Sequence, residues 1–242
     1  MKTFNLKFGN VKLISFLSII FLTFFAVGCA DDSSDSGSGS SSDSSSDSSS
    51  DDDTPTTDTT SFIMKWRVGI GYCFETGVNI GTVSGYTYNY TVDWGDGTIE
   101  TNQTTDAYHE HCSRGLYTVK ISGTFPVIKS TSCDGYAKLV AIDQWGDQKW
   151  QTFKDAFAGC SDLSGNATDK PDLSQVTDMS NAFNGASIFN HDIKNWDVIN
   201  VTNMSGMFSG ATDFTQDLSG WDVSNVTSHD NFCDNCTEPN WP

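Results

Sequence analysis

The hydrophobic and polar positions of the chain fall into four regimes. From Leu13 to Val27 most residues are apolar, whereas from Asp31 to about Ser61 almost none is. Phe62, Met64, Trp66 and Val68 then alternate with Ile63, Lys65 and Arg67, the period of two that belongs to a strand whose faces meet different surroundings. Tyr86, Tyr88, Tyr90, Val92 and Trp94 repeat the alternation against Thr87, Asn89, Thr91 and Asp93, as do Tyr117, Val119 and Ile121 after Gly115. Gly95-Asp96-Gly97 ends the second run, and Asp-Gly between strands marks a hairpin because both residues tolerate positive φ. Short strands divided by such turns predict a β-sandwich over 62–130.

The fourth regime replaces alternation with a longer period. Val176-Thr177-Asp178-Met179 returns as Val201-Thr202-Asn203-Met204 and as Val226-Thr227-Ser228-His229, each 25 residues after the last. Trp196-Asp197-Val198 returns as Trp221-Asp222-Val223, with Pro171-Asp172-Leu173 one interval earlier. Phe157, Phe183 and Phe208 recur at intervals of 26 and 25 residues, and Phe189 with Phe214 and Ile193 with Leu218 at 25. A unit of this length cannot bury its apolar face alone, so its copies are expected to stack into a solenoid. Met179, Phe183, Phe189, Trp196, Val198, Val201, Met204, Phe208, Phe214, Trp221, Val223 and Val226 are its predicted core. Asp197 with Asp222, and Asn200 with Asn225, are expected to form polar ladders that satisfy turn backbone groups. The solenoid with its lead-in segment covers 131–229. His229 replaces the repeating Met where the array ends, and Cys233, Cys236 and Trp241 place a cap over 230–242.

The first two regimes define how the chain is held. Lys2, Lys7 and Lys12 precede the apolar run, and Ala26-Val27-Gly28-Cys29 closes it, the layout of an export signal over 1–28. Those last four residues resemble a bacterial lipobox, with Ala26 where Leu is usual. The resemblance implies a diacylglyceryl group on Cys29, with a third acyl chain. Ala30, where an Asp would favour inner-membrane retention, permits an outer-membrane or cell-surface destination. The segment 29–61 is rich in Ser, Asp, Thr and Gly, and has too little apolar surface to offset its chain entropy. It reads as a disordered tether spanning roughly 30 Å as a random coil. Much of the formal charge of -18 comes from its aspartates, and so acidic a chain is a poor partner for phosphate backbones. Nucleic acid is excluded.

Besides Cys29 the chain carries Cys73, Cys112, Cys133, Cys160, Cys233 and Cys236, an even number that in an exported chain suggests disulfides. Cys73 with Cys112, Cys133 with Cys160, and Cys233 with Cys236 are the preferred neighbours, although six cysteines leave the pairing open. In His109-Glu110-His111-Cys112 a strand would point both imidazoles the same way, and two imidazoles with a thiolate bind zinc. An architectural role is favoured, because Cys112 has a candidate disulfide partner and His109 fits a fold motif described below. Asp93 and Asp96 are oxygen donors of the kind calcium uses, but a turn explains them without a metal. His191 aligns with Gln216 and is expected to face solvent. Neither a phosphate-binding loop nor a dinucleotide fingerprint is visible, and the recurring acidic residues keep the repeat register. No catalytic residue, metal or cofactor is expected.

Val92-Asp93-Trp94-Gly95-Asp96-Gly97-Thr98, His109 and Gly115-Leu116-Tyr117-Thr118-Val119 together resemble the PKD type of immunoglobulin-like domain. That family has W-G-D-G, H-x-Y and G-x-Y-x-V motifs; here His111 stands in place of Tyr, and Arg114 where Pro is common. The repeats, with Ala141-Ile142-Asp143-Gln144-Trp145-Gly146 and Phe157-Ala158-Gly159-Cys160-Ser161-Asp162-Leu163, resemble the BspA-like surface proteins, whose units are leucine-rich-repeat relatives. The two resemblances imply a mainly β chain with short helices, a PKD-like sandwich followed by a short leucine-rich-repeat-like solenoid. They also imply a non-catalytic lipoprotein ectodomain that adheres to or recognises host or environmental proteins or glycans, anchored to the membrane by lipid. An envelope spacer is the alternative reading, and a carboxylate-dependent glycan hydrolase the third. A binder is expected to expose an aromatic or non-repeating patch, and a hydrolase a cleft with carboxylates off the repeat register.

Overall fold

The computed structural model describes residues 57–69, 77–130, 133 and 135–242. Cys29, Cys73, the export signal and the tether up to residue 56 lie outside the described residues. The alternating runs form strands β1 (Phe62–Val68), β3 (Asn89–Asp93) and β6 (Gly115–Thr124), joined by β2 (Gly77–Gly81), β4 (Ile99–Gln103), β5 (Ala107–Glu110), β7 (Lys129–Ser130), β8 (Ala137–Gln144) and β9 (Ser164–Gly165). One open sheet has the order β4-β3-β6-β1-β8-β9 and a smaller one the order β5-β2-β7. All pairings are antiparallel except β8 with β9. Phe62 faces Ile121, and Met64 faces Val119 on one side and Ile142 on the other, so the apolar rows of β1, β6 and β8 share one face. β3 is shorter than the Tyr86–Trp94 alternation. Tyr88 lies before it and instead donates its hydroxyl to the Val127 carbonyl while accepting the Val83 amide.

β8 links the large sheet to the repeating region. Leu139, Val140, Ala141 and Ile142 are all buried, the continuous apolar run of a strand covered on both faces. Thr60, at the end of the tether, accepts the Asp147 amide, and Gln144 donates to the Ser61 carbonyl. Trp145 then packs against Phe62, Phe153 and Trp196, with ring centroids 5.4–5.7 Å apart. The buried apolar residues form one continuous core from β1 to Phe232.

Beyond Trp145 the chain winds in turns that are hydrogen-bonded one to the next. The amides of Met179, Asn181, Phe183 and Gly185 donate to the carbonyls of Asn203, Ser205, Met207 and Ser209 at 2.8–3.0 Å. The amides of Phe153, Asp155, Phe157 and Gly159 do the same to Asp178, Ser180, Ala182 and Asn184. Intervening amides close tight local turns, as Ala182 does to Met179 and Ala186 to Phe183. The expected short helices are therefore absent among the described residues. A helix directs consecutive amides back along its own segment, whereas here every second amide serves the neighbouring turn. Left-handed backbone at Asp155, Asn181, Gly206 and Asn231 makes the alternation possible, with a second such column at Gly159, Gly185 and Gly210. Asp, Asn and Gly are the residues that adopt this conformation most readily.

All twelve predicted repeat-core residues are buried. Phe157, Phe183 and Phe208 stack at 5.3 and 5.5 Å, and Phe189 stacks on Phe214 at 6.0 Å. Asn200 and Asn225 each donate to a carbonyl one turn back, of Ser174 and Ile199, whereas Asp197 and Asp222 accept amides within their own turns. Disulfides join Cys133 to Cys160 and Cys233 to Cys236. At the end of the array the Asp234 carboxylate accepts the Gly210 amide where a further carbonyl would stand, and Trp241 stacks on His229 at 4.2 Å.

Candidate functional site

The turns are not of equal length. Pro171 lies eight positions after Leu163 but Trp196 lies seven after the equivalent Phe189, and Pro171 occupies the column filled later by Trp196 and Trp221. Beside this longer turn lies a groove of about 520 Å³ lined by 167–170, His191, Asp192, Asn195 and Trp196. Trp196, 6% exposed, is the aromatic group of this groove, and Lys170, Thr168 and Asn195 are exposed polar side chains along it.

The groove's two carboxylates are occupied. Asp169 accepts the amides of Trp145 and Gly146 at 2.8–3.0 Å. Asp192 accepts the Lys194 amide and pairs with its ammonium at 2.7 Å; that side-chain bond first, then the amide, holds its carboxyl below the usual value. His191 is half-buried and bonds the Ala167 carbonyl through Nε2 at 2.8 Å, rather than facing solvent as its alignment with Gln216 predicts. Gln216 itself reaches back to Asn190. The site therefore offers an aromatic group, an ammonium, an amide and a hydroxyl, while its carboxylates are held by structural contacts. A second depression of about 290 Å³ lies at the seam between the sandwich and the turns, lined in part by Tyr86, Lys129, Gln151 and Lys154.

The two-sheet region carries the other cluster. Asp96, in the turn between β3 and β4, accepts the Thr98 amide through Oδ1 and meets His109 Nε2 through Oδ2 at 2.7 Å. Burial alone raises the Asp96 carboxyl, but the His109 and Thr98 bonds together outweigh it and hold it below the usual range. Trp94 stacks over His109 at 5.2 Å, and the buried His111 bonds the Trp94 carbonyl at 3.1 Å. Burial first, then the nearby His109, pushes the His111 imidazole below its ordinary value against the opposing effect of that carbonyl. Asp93 accepts the Gly95 amide and so serves its turn. The sequence placed His109 and His111 together but grouped them with Cys112; Asp96 is the acidic residue the fold brings to them.

Residues 130–241 match a protein family described as "Mycoplasma protein of unknown function, DUF285". The match spans the repeating region and is compatible with a BspA-like protein. No curated protein and no solved structure matches the chain.

Proposed function

We propose that this chain is a surface-anchored lipoprotein whose non-catalytic ectodomain binds an external protein or glycan, with the 167–196 groove as its recognition site. The observation that carries this reading is the groove's place and lining. It lies beside the longer turn that departs from the repeat register, with the largely buried Trp196 in its wall and exposed polar side chains along it, a concave surface suited to polar ligands. The aligned Trp and Asn columns elsewhere leave no equivalent opening among the grooves described. Its carboxylates, satisfied by backbone amides and a lysine, favour binding over carboxylate-dependent hydrolysis. A PKD-like sandwich and a leucine-rich-repeat-like solenoid complete the proposed architecture, with Cys29 as the acylated anchor and the Ser/Asp segment as the tether.

Protease shaving of intact cells, following a tag placed after Pro242, tests the location; loss of the tag is expected, and protection until the outer barrier opens returns the envelope-spacer reading. Glycan and matrix-protein arrays probed with the full chain test recognition. Binding that drops at least about tenfold in a Lys170→Ala, Asn195→Ala variant is the expected result. Undiminished binding by that variant removes the groove from the proposal, and no binding to any array together with unchanged adherence of a deletion strain removes recognition itself.

A further inference from the structure

The turn between β3 and β4 belongs to the large sheet and β5 to the small one, and they meet at Asp96, His109 and His111. One ligand-capable atom from each lies within 4.8 Å of the other two. His109 and His111 are two residues apart at the end of an extended segment, so both rings project to the same side; their centroids are 4.8 Å apart and their planes nearly perpendicular. The Trp94 carbonyl can only accept, so His111 Nε2 carries the proton and Nδ1 the lone pair. A backbone carbonyl on the far nitrogen is the arrangement that fixes the tautomer of a ligating imidazole. On the other side, His109 Nε2 and Asp96 Oδ2 share a hydrogen bond. Replacing its proton by a cation requires those atoms to separate to about 3.3 Å, the spacing of neighbouring nitrogen and oxygen ligands around a tetrahedral zinc.

We propose that Asp96, His109 and His111 form a binding site for a divalent transition-metal cation of the zinc class, which would staple the two sheets of the sandwich together. Two imidazoles and one carboxylate suit zinc better than calcium or magnesium, which prefer all-oxygen shells. Water would complete the coordination. The stacked Trp94 ring covers His109, and the Thr98 amide orients Asp96, so two of the three ligands are positioned in advance.

The test uses the full chain in detergent, stripped with a chelator and titrated with zinc sulfate, with cobalt chloride as a spectroscopic probe. One zinc is expected to bind per site, and Tm is expected to rise by about 5–10 °C when zinc exceeds its Kd by about a hundredfold. Cobalt is expected to give a visible d–d band. Asp96→Asn, nearly isosteric and able to keep the turn, is expected to weaken zinc binding at least about tenfold and remove the band; His111→Asn serves as the second variant. The Asp-rich segment remains in both variants and supplies the control for loose cation uptake. Equal zinc uptake by wild type and Asp96→Asn with no cobalt band overturns the proposal, as does uptake of calcium in preference to zinc.

Discussion

The paired sheets and the stacked turns satisfy the same backbone demands in different ways. In the sheets the partner of a residue is set by distant pairing: β1 lies between β6, about fifty residues on, and β8, further still. In the turns every second amide is handed to a carbonyl about one period away, while intervening amides close local turns. The first arrangement tolerates almost any extended sequence with the right alternation. The second needs left-handed residues in fixed columns, and Asp155, Asn181, Gly206 and Asn231 supply them. Long-range pairing thus places its specificity in register, and short-range stacking places it in backbone conformation.

The sharpest way to break this contrast is at the seam. Trp145 is buried against Phe62 of the sandwich and Phe153 and Trp196 of the turns, so Trp145→Ala is expected to cost about 3–5 kcal/mol. Urea unfolding followed by fluorescence and by far-UV circular dichroism measures it. Coincident transitions in the wild type and divergent ones in the variant would establish that the shared core couples two otherwise separable regions. Next come the glycines. Gly95 has φ 79°, and an added Cβ runs into the Thr118 backbone; Gly206 has φ 65°, and its Cβ meets side chains, those of Asn181 and, more loosely, Asn184. Gly95→Ala is expected to cost about 1–3 kcal/mol, and Gly206→Ala to fall at the lower end of that range because a side chain can move. A reversed order of midpoints would show that the left-handed column is the stricter constraint.

Smaller effects probe the ladders. Asn225→Ala removes one bond to the Ile199 carbonyl and is expected to cost about 1 kcal/mol, exposed as it is; the same measurement on Asn200→Ala should match it if the two ladder positions are equivalent. The smallest effect is acid sensitivity. The Asp172 carboxyl is held down to about 2, chiefly by its side-chain bond with Lys149 and then by Ser174. Asp217 and Asp222 are held low by the bonds of Ser219 and Ser224. Because these values are depressed, the stability they contribute is complete above the ordinary carboxylate value and is lost as pH falls through it toward 2. Urea midpoints are expected to decline between about pH 4 and pH 2, and Lys149→Met to flatten that slope slightly. A midpoint that is flat over this window would mean that the exposed turn carboxylates contribute nothing measurable.

Much of this architecture is legible in the residues. The alternation of Phe62, Met64, Trp66 and Val68 marks β1 and its buried face, and the 25-residue recurrence of Phe, Met, Trp and Val marks every column of the turns. The short helices that the family resemblances imply do not form among the described residues, and the periodic pattern could not exclude them, because it states which residues are buried but not where their amides point. The groove is not legible for a different reason: the one-residue difference between turns and the Pro in a Trp column stand in the sequence, but the space beside them exists only once the turns are packed together. Asp96 does not group with His109 and His111 in the sequence because its turn belongs to the large sheet, whereas His109 lies in β5 of the small one and His111 just beyond it.

The sequence by itself determined the periods, the buried columns and the position of the Asp-Gly turn, since each depends on local spacing and side-chain polarity. Only the tertiary structure decided that β8 would complete the sandwich sheet, that Trp145 would join the two cores, and that an aspartate and two histidines would converge across two sheets. These are meetings between distant segments, and they are selected by packing and register rather than by any property of the segments taken alone.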